Sequence, residues 1–406
     1  MKIHPSAVAP LVFAWALTGS CLPTLLAANP AVQKKSAQWQ DIRGVNFFTS
    51  NASNAHEMWL KFDATLVKRE LGWAKSLGFN SLRVWLSTQA YFKNPQEFSS
   101  NLIQFLDLSR KEQLTVMLVL FDCCGIEARP DAQPMTVKEA YLHFLGDSGI
   151  SWTDKELIKS RYQEFAEGRG KDMRIPVGKA TPFDILFWQS WTPNPGLSQM
   201  DQSHWQRFER YADEVFGAGI GHPAVIAFDL VNEPGCLFDF PKGIDRKGAE
   251  ARVHDFINHF AAYTEKKYPD TVRTIGCQNV GQMKSLASHQ TVLSFHSYLL
   301  GTSLRDAISQ AVTFSRSQNK PLLLTECLAN TDNWLKRHGE ERLSSDEAQL
   351  QHYEATLPIL LNSGIGWYSW GFVIGGMFTP FTDILYPNGY RRPAAVYLEK
   401  QLKGLW

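Results

Sequence analysis

The chain has almost no surplus charge: 41 Lys and Arg stand against 40 Asp and Glu, a net of +1. This excludes the basic field of a nucleic-acid-binding surface and the acidic field that would gather cationic partners. Cysteine is scarce, six in 406 residues. Apart from Cys21 near the N-terminus, the set is Cys123, Cys124, Cys236, Cys277 and Cys327, too odd and sparse for a disulfide framework. One disulfide is compatible with it, but the sequence does not pair it. There is no CxxC pair and no HExxH helix, so no zinc site is expected. Missing too are a GxSxG elbow and an HxH pair ending the first strand, which disfavours a serine hydrolase and a metal-dependent barrel hydrolase. Gly 28 and Pro 20 are ordinary shares that rule out collagen-like or low-complexity architecture.

Long apolar runs are confined to the start. Lys2 precedes a largely apolar stretch from Ala7 to Leu26, interrupted by Pro10, Gly19 and Pro23 and followed by small residues at Ala27, Ala28 and Ala31. This reads as an export signal over residues 1–28 rather than a membrane anchor, since the breaks come before the ~20 residues a span needs. Cys21 behind Leu17-Thr18-Gly19-Ser20 leaves a lipoprotein anchor as an alternative. The remaining 29–406 is expected to be secreted or periplasmic, monomeric and without a membrane span. Asn51-Ala52-Ser53 fits a glycosylation sequon.

Eight short β-rich runs alternate with helix-period segments: Ile42–Phe47, Ser81–Leu86, Thr115–Phe121, Val225–Val231, Val272–Cys277, Val292–Phe295, Pro321–Thr325 and Gly366–Trp370. Near-continuous apolar strands such as Val116–Leu120 fit a parallel sheet covered on both faces. A helix is expected from about Asp63, as N-cap, to Leu77 and Gly78. A second is expected from Asp201 to Phe216 with Trp205, Phe208, Ala212 and Val215 on one face. Eight βα units with right-handed crossovers close most naturally into a single (β/α)8 barrel. A doubly wound sheet would carry a GxGxxG turn where Arg43-Gly44-Val45-Asn46-Phe47 stands, and a two-domain chain would show a linker. The long connection after strand three, about 122–200, is expected to be an ordered insertion over the barrel mouth.

Barrel active sites lie at the C-terminal ends of the strands. Those positions hold Asn46, Arg83 with Trp85, Asp122, Asn232 with Glu233, Gln278 with Asn279, His296 with Tyr298, Glu326 and Trp370. Glu233 and Glu326 each end an otherwise apolar strand, on opposite sides of the mouth. Either alone could close a strand with a salt bridge. Together they match the two carboxylates of glycoside hydrolysis, one held neutral and one ionised. Arg83 should favour the charged form of Glu326, while that charge and a tryptophan-lined wall should keep Glu233 neutral. Asp122 reads equally as a sugar ligand or a loop cap. The 13 tryptophans suit stacking on pyranose faces, with Trp370 the best placed and Trp188 and Trp191 in the insertion as further candidates.

Ala227-Phe228-Asp229-Leu230-Val231-Asn232-Glu233-Pro234 and Leu322-Leu323-Leu324-Thr325-Glu326 resemble the strand-four and strand-seven motifs of clan A glycoside hydrolases, specifically family 5. Arg83, His296-Ser297-Tyr298 and Trp370-Gly371 fall on their expected strands. The resemblance runs from about Arg43 to the C-terminus and is weakest over the insertion. It implies a retaining mechanism with Glu233 as acid/base and Glu326 as nucleophile, and no cofactor. Asn232 would hold the sugar 2-hydroxyl, Tyr298 would hydrogen-bond the nucleophile and Arg83 would keep it ionised. His296 would position Glu233 or the sugar, and Trp370 would floor the −1 subsite. The chain departs from the family at strand three, where Asp122-Cys123-Cys124-Gly125 stands in place of a common His-Gly pair. Arg83-Val84-Trp85 looks more like the mannan-cleaving branches. The expected partner is a carbohydrate, β-mannan or β-glucan. A non-catalytic sugar-binding barrel and a transglycosylase are the alternatives.

Overall fold

The computed structural model describes residues 39–52, 54–124, 172–175, 193–236, 243–329, 342–373, 382–386 and 388–404. The expectations for residues 1–28, Cys21, Ser53, Trp188, Trp191 and most of 122–200 fall outside them. Eight parallel strands form a (β/α)8 barrel: β1 Arg43–Asn46, β2 Ser81–Trp85, β3 Thr115–Asp122, β4 Val225–Asn232, β5 Arg273–Gly276, β6 Leu293–His296, β7 Leu322–Cys327 and β8 Gly366–Ser369. Each expected run overlaps one of them, and β3, β4, β6 and β7 extend one or two residues further toward the mouth. The ladder proceeds in sequence order and joins β8 back to β1 through Gly44↔Tyr368. Between β5 and β6 it is carried by the bridge Cys277↔Phe295, where the His296 N–H donates to the Cys277 carbonyl at 2.7 Å.

β3 shows why its sequence is apolar throughout. Val116 to Asp122 are all buried, because alternate side chains meet the barrel interior and the surrounding helices. At the N-terminal end of the barrel, Trp39, Ile42, Val272 and Val292 precede their strands and pack with Met117, Ala227, Leu323 and Tyr368. That apolar plug closes the bottom. The opposite end is polar, so the two ends of the barrel differ in chemistry from the start.

The helices follow local rules. In α1, Ala64–Ser76, the Asp63 side chain accepts from the Thr65 and Leu66 N–H groups, satisfying two orphan donors of the first turn. Gly78, at φ +96°, turns the chain out, and a Cβ there would lie 2.8 Å from Leu402 Cβ. In α2, Pro95–Lys111, Asn94 caps and Pro95 occupies the first turn. The helix expected from Asp201 begins instead as a 3-10 turn, Gln202–His204, capped by Asp201, and becomes α3 at Trp205–Gly219. Phe208, Ala212 and Val215 are buried as expected, with Tyr211 and Phe216 beside them, whereas Trp205 is only partly covered and stacks on His259 at 4.1 Å. The remaining connections carry α4 Arg246–Lys267, the short α5 Val280–Ser285, α6 Gly301–Gln318, α7 Asp346–Leu361 and α8 Pro393–Lys403. Among the described residues, no helix is long and apolar enough to cross a membrane.

Of the connection after β3, residues 172–175 pair antiparallel with Arg342–Ser345, which lies between β7 and α7. The connection returns to the barrel at Asn194, whose backbone forms two hydrogen bonds with Asp122 at 2.7 and 2.8 Å. The Asn194 side chain is fully used: Nδ2 donates to the Leu86 and Leu120 carbonyls, and Oδ1 accepts from Thr88 N–H and Oγ1. This buried amide knots β2, β3 and the returning chain beside the mouth. Asn194→Ala leaves two carbonyls and the Thr88 donors without partners and is expected to lower the unfolding free energy by about 2–4 kcal/mol. Chemical denaturation of both proteins measures this, and an unchanged midpoint would contradict the role of the knot.

Candidate active site

The polar end of the barrel is organised around Arg83 on β2, whose side chain is wholly buried. A guanidinium has five N–H donors in a fixed plane, and here all five are used. Nε and Nη2 donate to Asp229 Oδ2 at 3.0 and 2.8 Å, and Nη2 also donates to Asn232 Oδ1 at 2.5 Å. Nη1 donates to Asn46 Oδ1 at 3.1 Å and to Glu326 Oε1 at 2.8 Å. Burial works against the charge, but Asp229 and Glu326 outweigh it and hold the guanidinium protonated. The network fits because β5 offers no side chain at Gly276, where a Cβ would lie 2.5 Å from Arg83 Nη2 and 2.9 Å from Asn232 Oδ1. Arg83 thus has no donor left for a ligand and acts on Glu326 and Asn232.

Asn46 is committed in the same way, donating to the Thr325 and Ser369 carbonyls while accepting from Arg83. Asn232 accepts from Arg83 and donates one amide hydrogen to Asp122 Oδ1 at 2.9 Å. Asp122 Oδ1 also accepts from the Cys124 N–H at 2.9 Å, so this carboxyl both caps the turn after β3 and holds Asn232. Burial pushes Asp122 up to about 8, with Glu233 and Glu326 adding to the shift against the hydrogen bonds from Asn232 and Cys124.

Glu233 and Glu326 converge with His296 between them. His296 Nδ1 lies 2.7 Å from Glu233 Oε1 and 3.4 Å from Glu326 Oε2, and one oxygen of each carboxylate lies within 4.8 Å of the other. Glu326 receives a donor on each oxygen, Arg83 on Oε1 and the Tyr298 hydroxyl on Oε2. Burial raises Glu233 to about 7, against the pull of Arg83 and a hydrogen bond from Gln278. It also raises Glu326, helped by Glu233 and opposed by His296, Arg83 and Tyr298. Arg83 therefore acts on Glu326 in the expected direction, but burial is the larger effect. The same desolvation lowers His296 to about 4, so the imidazole is neutral. A neutral carboxyl beside a neutral imidazole needs only one shared hydrogen bond, which a dry site accommodates better than an ion pair.

The side wall is aromatic. Trp85 meets Trp370 edge-on at 5.6 Å, Phe48 stacks on Trp85 at 5.0 Å, and the Arg83 guanidinium lies 4.3 Å from the Trp85 ring centre. Trp370, Asn46, Phe48 and Thr49 line a recess at this wall. Cys124 and Cys236 belong to the same cluster and form a disulfide. Both cysteines and Glu233 could otherwise hold a cation, as could Glu233, His296 and Glu326, but the sulfur–sulfur bond engages the first set with itself.

Nine of the ten expected site residues thus come to one end of the barrel, Trp191 lying outside the described residues. Sequence reasoning missed three contributors. Asp229, the buried partner of Arg83, was visible as a lone carboxylate inside an apolar strand. Gly276 and the Cys124–Cys236 pair gave no sequence signal that distinguishes them.

No protein-family model matches the chain, and no curated protein matches it. Solved structures do. An exo-β-1,4-mannosidase from Opitutaceae bacterium strain TAV5 aligns with a TM-score of 0.54 at 16% identity, over 89% of this chain and 59% of that one. A GH5_18 protein from Bifidobacterium longum subsp. infantis aligns with a TM-score of 0.55 at 13% identity, over 89% of this chain and 79% of that one. A GH5_18 protein from Streptomyces cattleya, solved with Manβ1-4GlcNAc, gives 0.53 at 14% identity, over 90% and 81%. The chain spans well under two thirds of the first of these, and at such identities the likeness is one of fold.

Replacing Arg83 by Met removes the cation while leaving Asp229 and Glu326 buried. The expected loss is about 3–5 kcal/mol of unfolding free energy, as for a buried pair stripped of one partner. Denaturant titration at neutral pH reads it, and wild-type stability in Arg83→Met would show that the network does not hold the barrel mouth together.

Proposed function

We propose that this chain is a retaining β-glycosidase that cleaves a β-linked oligo- or polysaccharide, a β-mannoside in preference to a β-glucan. The observation that carries the reading is the pair of carboxylates within 4.8 Å of each other, each held by different partners. A separation near ~5 Å suits double displacement and leaves no room for the water of an inverting reaction. Names of structural neighbours add weight toward mannosides: one is an exo-β-1,4-mannosidase and another was solved with Manβ1-4GlcNAc.

The roles follow from the partners. Glu326, with Arg83 and Tyr298 donating to its two oxygens, is the nucleophile: it attacks the anomeric carbon as the glycosidic bond breaks. Glu233 holds its proton until about pH 7 and gives it to the departing oxygen. The resulting carboxylate then takes a proton from water, which displaces Glu326 and restores both groups. His296, neutral and hydrogen-bonded to Glu233, fixes the acid without competing for its proton. Asn232 has one amide hydrogen left for the 2-hydroxyl, and Trp370 supplies the ring on which the −1 sugar stacks. These steps require no cofactor, since side chains supply nucleophile and proton. Export by the segment 1–28 and a short cleft closed by 122–200 belong to the same proposal.

Glu326→Ala is expected to lower turnover by about 10³-fold or more, with azide restoring part of it on an activated aryl glycoside. The rescued product should be the glycosyl azide of inverted configuration, identified by NMR. Undiminished hydrolysis by Glu326→Ala would end the assignment.

The pH dependence has a definite sign. Because Glu233 must be protonated to act, kcat/KM should fall as pH rises through about 7. In Glu233→Gln that limb should vanish, and unactivated substrates should slow by about 10²–10⁴-fold. A rate that rises across this range would exclude Glu233 as the proton donor.

A further inference from the structure

Glu233 sits in an unusual backbone. Its φ of +43° is in the left-handed region, which a side chain with a Cβ rarely adopts unless its surroundings impose it. Two hydrogen bonds hold it: Glu233 N–H donates to the Gly276 carbonyl at 2.7 Å, and Cys236 N–H donates back to the Glu233 carbonyl at 2.8 Å. Cys236 is therefore the residue that closes the turn carrying the acid. Its sulfur is bonded to that of Cys124, 112 residues earlier, at the end of β3. The Cys124 backbone is fixed in turn by Asp122.

The sulfur also touches the carboxyl. Cys124 Sγ lies 3.1 Å from Glu233 Oε2, while Oε1 faces His296 at 2.7 Å. A disulfide sulfur has no hydrogen to donate, so it covers Oε2 without stabilising a negative charge. A thiol in the same place has one.

We infer that the Cys124–Cys236 disulfide is a positioning element for Glu233, which clamps the turn that carries this carboxyl and makes its proton donation depend on the redox state of the pair. The inference rests on the proposed role of Glu233 as acid/base. Reduction by a small dithiol breaks the sulfur–sulfur bond: two electrons and two protons pass to Cys124 and Cys236, and the dithiol leaves as its cyclic disulfide. The Cys124 thiol can then donate to Glu233 Oε2, which favours the carboxylate, and the turn loses its covalent tie to β3. The first lowers the pH above which Glu233 has lost its proton, the second loosens its aim, and both reduce proton donation at neutral pH. The other groups facing Glu233 are common to both states: Arg83 from β2, Asp122 from β3 with Cys123 after it, Gln278 after β5, His296 from β6 with Tyr298 after it, and Glu326 from β7. Among the described residues the remaining cysteines, Cys123, Cys277 and Cys327, are buried and unbonded.

The test compares the full-length chain oxidised, treated with dithiothreitol, and as the Cys124→Ser/Cys236→Ser double variant. Peptide mapping without reductant should recover the 124–236 cross-link, and free thiols at both positions in air-oxidised protein would overturn the inference. With aryl β-glycosides, reduction should move the alkaline limb of kcat/KM to lower pH by about half a unit or more. It should also slow poor leaving groups about fivefold or more while sparing good ones that need no proton. Reoxidation should reverse both changes, and dithiothreitol should leave the double variant unaffected. The same limb and the same leaving-group dependence in both redox states would overturn it. The Glu233 carboxyl can also be titrated directly by 13C NMR of glutamate-labelled protein, with Glu233→Gln assigning the signal. That readout needs no turnover. An inactive protein whose Glu233 pKa falls on reduction would reject the glycosidase reading and keep the clamp, whereas a pKa that does not change would reject the clamp alone.

Discussion

The geometry of the barrel mouth depends on one buried cation. A guanidinium taken out of water carries a large desolvation cost, and it remains charged here because Asp229 and Glu326 face it from two strands and every N–H finds an acceptor. The planar fork fixes directions as well as charge. Arg83 sets the orientation of Asn46, Asn232, Asp229 and Glu326 together, from β1, β4 and β7, so four side chains share one reference. A lysine would place a charge at one point and leave most of those acceptors unfilled. The absence of a side chain at Gly276 on β5 is the complementary requirement.

That cation faces more carboxyl groups than it binds. Asp229 and Glu326 bind it directly, whereas Glu233 and Asp122 do not. Burial raises Glu233 to about 7 and Asp122 to about 8, and it raises Glu326 as well, against the opposing pull of Arg83. The imidazole responds to the same environment in the opposite sense, falling to about 4. A stored proton on Glu233 is the consequence on which general-acid chemistry relies.

Much of this was legible in the sequence because it lies on strands. Period and apolarity located eight segments, and a polar residue at the end of an apolar strand has little reason to be there except the mouth. Glu233, Glu326, Asn232, His296 and Arg83 were all visible by that rule. Beyond the partners of Glu326, contacts across the barrel were not. Asn46 and Asn232 look alike at strand ends, yet Asn46 spends its whole amide on neighbouring strands whereas Asn232 keeps one hydrogen. Pairing Cys124 with Cys236 depends on how two turns face each other across 112 residues, which no local pattern encodes. The α3 start shifted for a local reason: Asp201 caps a 3-10 turn before the α-helical hydrogen bonds begin.

The departure at strand three tests whether the site tolerates a change of chemistry there. Asp122 stands there, and an ionised aspartate would bring another negative charge toward Glu233 and Glu326. Burial removes the conflict by keeping Asp122 protonated to about 8. Its carbonyl-like Oδ1 then accepts from Asn232 and from the turn at Cys124, tying the amide and the start of the disulfide to a single atom. The residue at this position therefore sets how Asn232 and the β3 turn are held. The two glutamates are anchored separately, to Arg83 and His296 on other strands.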